Sequence, residues 1–376
     1  MIYLACFAAS GFFAYLANRA EKRRNFILFS AVSILLPVLL AGLRDYSIGT
    51  DVDNYLNLEC FWKGAISADS AKEYVLYYRS TGLREKLFAW FIGIIAQTTG
   101  EFRVFLFVCH FIVVCGMYVG AFRLKHHAPP EAVLVMFYLL YFNSSLNLIR
   151  QFMALAVVFA FMADLEKHKL LYYLRYFLAT TIMVKIHSIT LIAYAPALIM
   201  FILYTGRKSN KMSTVRMGII CALILIGTVF FRPLVGLILD TRVLSGRYQY
   251  YFNYAGVGQM SKVRIVLLLL ELGGIIVFYR KLRKNNSNFD FYLVNFAAFV
   301  AMQIMAPSIH YGFRLTYYFA FANLVLVAML PTCLEKKWHR AVAYAGIFAL
   351  MLFYWNHHYV AGGAGETFPY LLGTFS

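Results

Sequence analysis

The segment Arg44–Tyr55, RDYSIGTDVDNY, concentrates polar chemistry in a chain that is otherwise largely apolar. It brings together an arginine, a Gly-Thr pair, three aspartates and two tyrosines. A guanidinium there can grip an oxyanion, and a carboxylate can take a hydroxyl proton or hold sugar hydroxyls. Asp51 and Asp53 are the carboxylate candidates. Two residues apart, they do not both face one site, and Asp51, beside Gly49-Thr50, is the better placed. The segment follows directly on the apolar run 25–43, so it stands where a helix leaves a membrane. A polar cluster at that level suits a polar substrate carried on a lipid. The plain structural alternative is a helix C-cap and a solvated loop turned by Gly49.

Arg150 (in NLIRQFMALAVV) and Arg314 (in SIHYGFRLTYYF) stand at the lips of apolar runs. Arg232, Arg242 and Arg247, with His187 and His310, fall on the same side of the membrane in the topology derived below. The positive-inside rule disfavours arginines there, so their presence needs a reason. Ionisable side chains at such positions face a cavity and bind something anionic, and the planar guanidinium fork matches phosphate oxygens. For any one of them the alternative is snorkelling to lipid headgroups. His187, next but one to Lys185, reads either as a hydrogen-bonded helix-end residue or as a proton acceptor. No GxSxG, HExxH or Walker sequence is present, which leaves hydrolase, zincin and nucleotide-driven readings without support. The six cysteines include no CxxC pair, and no His/Cys set has zinc spacing, so neither disulfides nor a metal site is expected.

The elements that must position these groups are membrane helices. Of 376 residues 62% are hydrophobic and 14% charged, with mean hydropathy +0.67. Apolar runs occupy 1–17, 25–43, 87–99, 104–122, 132–142, 149–163, 171–184, 188–204, 214–231, 263–279, 289–306, 315–333 and 340–355. The expected fold is therefore all-α: a polytopic integral membrane protein of about 12 transmembrane helices, forming a single transmembrane domain over 1–376. The net charge of +18 does not imply nucleic acid as a partner. Much of it lies in short loops at 18–24, 206–211, 280–284 and 335–340, which mark the cytoplasmic side. The first span has its basic cluster after it, so it reads as an uncleaved span with the N-terminus outside.

Working back from those loops, 164–170, 206–213, 280–288 and 334–340 are inside. Residues 185–187, 232–262, 307–314 and the C-terminal tail are outside. In the first half the parity fails by one, because 44–86 belongs outside and RLKHH (123–127) inside. One short segment, 87–99 or 132–142, is then re-entrant or part of a broken crossing, which requires cover by protein or a wet cavity. The outer loop 44–86 is amphipathic and aromatic. A second outer loop, 232–262, carries three arginines and a tyrosine run that suits sugars and interfaces equally.

With those residues in view, RDYSIGTDVDNY resembles the arginine, Gly-Thr-Asp and tyrosine signature of EpsG-like proteins, the Wzy-type polymerases of O-antigens and exopolysaccharides. NLIRQFMALAVVFA, KIHSITLIAYAP, the stretch around SGRYQYY, FRLTYYFAFANLVLVAMLP and the ending TFPYLLGTFS follow in the order that family shows. The resemblance implies a GT-C-like glycosyltransferase of the bacterial inner membrane with its active site facing outward. It would join undecaprenyl-diphosphate-linked oligosaccharides as donor and acceptor, without a cofactor, with membrane lipid and a chain-length regulator protein as further partners. On this chain Arg150 and Arg314 would grip the diphosphate, with Arg44 or Arg247 assisting, and His187 or Asp51 would accept the hydroxyl proton. Thr50, Tyr55, Tyr248, His310 and Tyr317 complete the expected substrate contacts.

A flippase or transporter of a lipid-linked saccharide shares the outward arginines, but few ionisable residues sit mid-span. An O-antigen-ligase-like transferase differs only in its acceptor. A membrane O-acetyltransferase needs a catalytic histidine on the inner side, and His187 and His310 fall outside. A structural subunit leaves the outer arginines unexplained.

Overall fold

Apolar runs satisfy their backbone groups by coiling, and the computed structural model is helical throughout its described residues, 1–206, 210–231, 261–308 and 312–373. No strand forms among them; extended pairing is confined to an antiparallel bridge between Arg44 and Leu372. Among the described residues four helices are long and apolar enough to cross a membrane: Arg23–Gly42, Phe102–Arg123, Met212–Val229 and Phe313–Cys333. The sequence reading counted about 12 spans. Several of its runs form helices of 10–17 residues instead, such as Ile2–Asn18 and Leu170–Val184.

The chain divides into two compact units, Met1–Leu191 with Val342–Ser376, and Ile192–Ala341. The first contains α1 (Ile2–Asn18), α2 (Arg23–Gly42), α3 (Thr50–Asn57), α4 (Trp62–Ser67), α5 (Ala71–Ser80) and α6 (Lys86–Thr99). It continues with α7 (Phe102–Arg123), α8 (Pro130–Phe137), α9 (Asn143–Asn147), α10 (Ile149–Leu165) and α11 (Leu170–Val184). Helices α7 and α10 approach each other closely. A Cβ on Gly116 would fall 2.7 Å from the Ala156 carbonyl, so only glycine permits this approach.

Polar contacts define the two ends of this bundle. At one, Asn18 Nδ2 donates to Glu131 at 3.2 Å, Arg123 pairs with the buried Asp164, and Arg175 Nε stands 3.4 Å from the second Asp164 oxygen. At the other, the Tyr3 hydroxyl donates to the Thr367 carbonyl at 2.7 Å, and Asp45 N donates to Leu371 O at 2.9 Å.

The two segments responsible for the parity anomaly behave differently. The run 132–142 belongs to a helical stretch from Pro130 to Asn147, in which a π turn at Tyr138–Phe142 joins α8 to α9. This stretch leads from the Glu131 end to the Asn147 end. The 14-residue α6 instead begins and finishes at one end. Leu87 N and Phe88 N donate to Lys185 O near its start, and Gln97 donates to Ala65 O and Ala68 O near its finish. Phe102, just beyond it, packs edge-on against Tyr46 at 5.3 Å. Thus α6 packs with α4 and α5 at this end of the unit.

The second unit holds α12 (Tyr194–Tyr204), α13 (Asn210–Val229), α14 (Lys262–Asn285), α15 (Phe289–Met305) and α16 (Phe313–Met329). Asp290 at the start of α15 accepts from Ser213 and faces Arg283 at 3.6 Å. Glu271, buried within α14, accepts from Asn323 of α16 at 3.0 Å. The last long helix, α17 (Lys337–Trp355), starts in this unit's residue range, and from Val342 onward belongs to the first.

Candidate functional site

Where α2 ends, Arg44 turns inward and is fully buried. Its Nη1 donates to Ala41 O at 2.6 Å and its Nη2 to Leu146 O at 3.0 Å. Burial pushes its guanidinium down to about 10, and nearby tyrosines oppose that, so it stays charged at neutral pH. The backbone on either side of it pairs with the tail through Asp45 N to Leu371 O and Gly373 N to Leu43 O, each 2.9 Å. The sequence reading expected Arg44 to assist at the substrate. The structure gives it no exposed surface and engages its fork with main-chain carbonyls.

Gly49 then makes the turn into α3 with φ +103, and a Cβ there would also press to 2.6 Å from Asn147 Oδ1. The helix α3 is amphipathic. Val52 and Tyr55 are buried, whereas Thr50 and Asp53, three residues apart, face outward. Asp51 and Asp53 accordingly serve different neighbours. Asp51 lies close enough to Tyr55 for its charge to act on the phenol, and Asp53 faces an open cleft.

Tyr55 leads to the centre of the site. Arg150, in the first turn of α10, donates from Nε to the Tyr55 hydroxyl at 3.0 Å. Its guanidinium carbon sits 5.2 Å from the centre of the Phe88 ring, 5.4 Å from that of Phe61 and 5.8 Å from that of Tyr55. The only carboxylate it meets among its described contacts is Glu85, with Nη1 to Oε2 at 3.8 Å. That is well beyond the roughly 2.7–2.9 Å of a charge-assisted hydrogen bond. Glu85 therefore balances the charge and leaves the two-pronged face of the fork unsaturated. Three ring faces around a cation add attraction that strengthens as water is removed.

Glu85 is held in turn by the loop after α11. Ser188 Oγ donates to its Oε1 at 2.9 Å, and the same loop's Lys185 O receives Leu87 N and Phe88 N. Burial works to raise the Glu85 carboxyl. Arg150, the Ser188 hydroxyl and the nearby His187 outweigh it and hold the group below the usual carboxylate range. Burial raises the Tyr55 phenol, with Arg150 opposing, so Tyr55 remains neutral.

Beside this cage lies an open cleft of about 400 Å³. It is lined by Tyr46, Ser47, Gly49, Thr50, Asp53 and Leu56 of the signature region and by Glu366 of the tail. The tail is drawn in by Gly49 N to Glu366 O at 3.3 Å and Asn147 Nδ2 to Gly365 O at 2.9 Å.

The model of the EpsG family matches residues 27–372, which takes in the cage, the cleft and most of the tail. The chain belongs to the EpsG family. No curated protein and no solved structure matches it. Family membership and the apolar helices together support a membrane protein of polysaccharide biosynthesis.

Of the residues singled out in this EpsG-family sequence, the structure brings Arg150, Tyr55, Asp51 and His187 into one neighbourhood and sets Thr50 on the adjoining cleft. Arg314, half-buried, and Tyr317, buried, stand in the first turns of α16 in the second unit. Arg232, Arg242, Arg247, Tyr248 and His310, and with them nearly all of the loop 232–262, lie outside the described residues.

Sequence reasoning missed Glu85, Phe61, Phe88 and Glu366 as members of the site. Glu85 sits in the charged run REK, where nothing distinguishes it from its neighbours. It also missed a spatial cluster at the opposite end of the EpsG-family chain's first unit. There His127 Nε2 lies 2.7 Å and His126 Nε2 3.1 Å from the two oxygens of Glu166. The expectation of no metal-ligand set rested on linear spacing, and the fold corrects that premise. These three residues place their donor atoms within 4.8 Å of one another, a set that could hold an ion. As described, they link the turn after α7 to the turn after α10.

Proposed function

We propose that this EpsG-family chain is a polysaccharide polymerase. It would join undecaprenyl-diphosphate-linked oligosaccharides at the outer face of the bacterial inner membrane, as a GT-C-like protein of about 12 crossings. The observation that carries the reading is Arg150, whose guanidinium is caged by three rings, anchored by Tyr55 and only loosely balanced by Glu85. A cage of this kind orients the fork without filling it, which suits the oxygens of a diphosphate leaving group. In the reaction the acceptor hydroxyl oxygen forms a bond to the donor's anomeric carbon, and the bond from that carbon to the diphosphate oxygen breaks. Charge gathers on the leaving diphosphate, where Arg150 stabilises it. The hydroxyl proton passes to a base. Asp51 and His187 are the sequence candidates, and Glu85, ionised beside Arg150, joins them on geometry. Arg314 is the second diphosphate ligand in this proposal.

The test is a glycan ladder on a gel, from cells lacking the gene and from cells carrying Arg150→Ala or Arg150→Lys. Collapse to lipid capped with a single repeat unit in all three supports the polymerase. An unchanged ladder with Arg150→Ala removes Arg150 from the mechanism. Long chains stranded on the carrier lipid indicate a ligase, and the absence of repeat units outside the membrane indicates a flippase.

A further inference from the structure

We propose that the cleft between the signature segment and the tail is a subsite for an uncharged, hydroxyl-bearing sugar at the growing point of the acceptor glycan. The assignment of this sugar to an acceptor rests on the polymerase reading; the chemistry of the cleft does not. Its volume of about 400 Å³ falls within the roughly 300–1,000 Å³ of small-ligand clefts.

Its lining is rich in acceptors. Asp53 already takes Asn57 Nδ2 on one oxygen at 2.6 Å, leaving the other for a ligand. Glu366 also lines the cleft, as do the hydroxyl-bearing residues Tyr46, Ser47 and Thr50. Ser47 gives its own proton to Asp45 at 2.6 Å, so it too is left with lone pairs to offer. A surface of this composition attracts groups that donate hydrogen bonds and repels anions. Sugar hydroxyls fit; a diphosphate does not. Tyr46 and Leu56 add the apolar patches that sugar C–H faces need, and the Tyr46 ring is braced by Phe102 and by Arg103, whose guanidinium carbon lies 5.2 Å from the ring centre.

The walls are also fixed. Glu366 has φ +52, a left-handed conformation that a non-glycine residue adopts only when its surroundings hold it there. Those surroundings are the bonds from Gly49 and Asn147 to the Glu366 and Gly365 carbonyls. Finally, α3 puts the two chemistries side by side. Thr50 and Asp53 face the cleft from the helix that sends Tyr55 to Arg150, so cleft and cage are separated by about a helix diameter, roughly 10–12 Å. The arrangement divides labour between a cation for the leaving diphosphate and an acceptor-rich seat for the neutral sugar.

The experiment uses the full-length protein in detergent and saturation-transfer NMR with oligosaccharides cut from the host's own polysaccharide by partial acid hydrolysis. Wild type is expected to transfer saturation to the terminal sugar ring. Asp53→Asn, which keeps the Asn57 contact, and Glu366→Gln should each weaken binding by about tenfold, with unchanged thermal unfolding. Arg150→Ala should bind the oligosaccharide normally. Undiminished binding in the Asp53→Asn, Glu366→Gln double variant would overturn the proposal, as would inorganic pyrophosphate displacing the sugar from Arg150→Ala protein. If the ladder is unchanged in cells lacking the gene while the cleft variants still lose sugar binding, the polymerase reading falls and the sugar subsite stands.

Discussion

The Nε of Arg150 donates to the hydroxyl of Tyr55 at 3.0 Å, joining the first turn of α10 to the last turns of the signature helix. The tyrosine ring also forms one wall of the aromatic cage, so its two functions separate cleanly. Tyr55→Phe keeps the wall and removes the anchor. A hydrogen bond to a charged group contributes about 1.5–3 kcal/mol, so loss of orientation should slow polymer formation by about tenfold or more. Yield per unit of protein on the glycan ladder checks this, and Tyr55→Leu, which removes both functions, should be more severe. Equal effects from the two substitutions would show that the ring alone matters.

Glu85 sets an acid limit on the site. Its carboxyl is held below the ordinary value in the folded chain, so it contributes stability that is complete above its unfolded pKa, near 4.3. That contribution is lost as pH falls through the lower folded value. Thermal unfolding in detergent should therefore show a loss of stability below about pH 4 that Glu85→Gln reduces. In Arg150→Ala the main opposing charge is gone and only the weaker Ser188 and His187 contributions oppose the burial of Glu85, so the acid limb should move to higher pH. An acid limb identical in wild type and Glu85→Gln would assign it to other carboxylates.

Arg44 separates a scaffold role from a substrate role. It is fully buried and donates to two carbonyls, from α2 and α9, beside the paired tail. Arg44→Ala leaves those carbonyls without donors and should destabilise the protein by about 2–4 kcal/mol, visible as a lower unfolding temperature and lower abundance in membranes. Arg44→Lys supplies charge without the fork and should recover only part of this. Lost activity with an unchanged unfolding temperature would instead make Arg44 a substrate ligand.

These residues show how far the sequence could be read. The helical class follows from local chemistry, the long apolar runs, and Arg150 drew attention as a guanidinium at the lip of one such run. The brevity of the run at 87–99 was legible as well, and α6 there is 14 residues long. Partners were not legible. Arg44 meets a tail more than 300 residues away, as does Tyr3 at Thr367, and no pattern in the sequence announces such pairing. Glu85 and the Phe88 ring reach Arg150 from α6 and its N-terminal edge, and the Phe61 ring from the edge of α4, and His126, His127 and Glu166 meet by the same kind of convergence. Chemistry within one segment can be read from residue type and spacing, but a site assembled across segments needs the fold.

The opposite end of the first unit offers a last test, of architecture alone. Asp164 is fully buried, and its carboxylate is shared by Arg123 of α7 and Arg175 of α11, with Arg123 also donating to Ala160 O at 2.7 Å. One carboxylate thus fastens three helices at the end remote from Arg150. Asp164→Asn keeps the shape and removes the charge. Both arginines reach solvent, which screens the charge left behind, so the cost is the lost charge-assisted bonds, about 1–3 kcal/mol, below the penalty for stranding a buried ion. The unfolding temperature and membrane abundance should fall, and polymer made per remaining molecule should stay near wild type, because the substitution leaves the Arg150 cage and the cleft untouched. A fall in polymer per molecule as large as that of Tyr55→Phe would mean that this end of the bundle is coupled to the chemistry at the other.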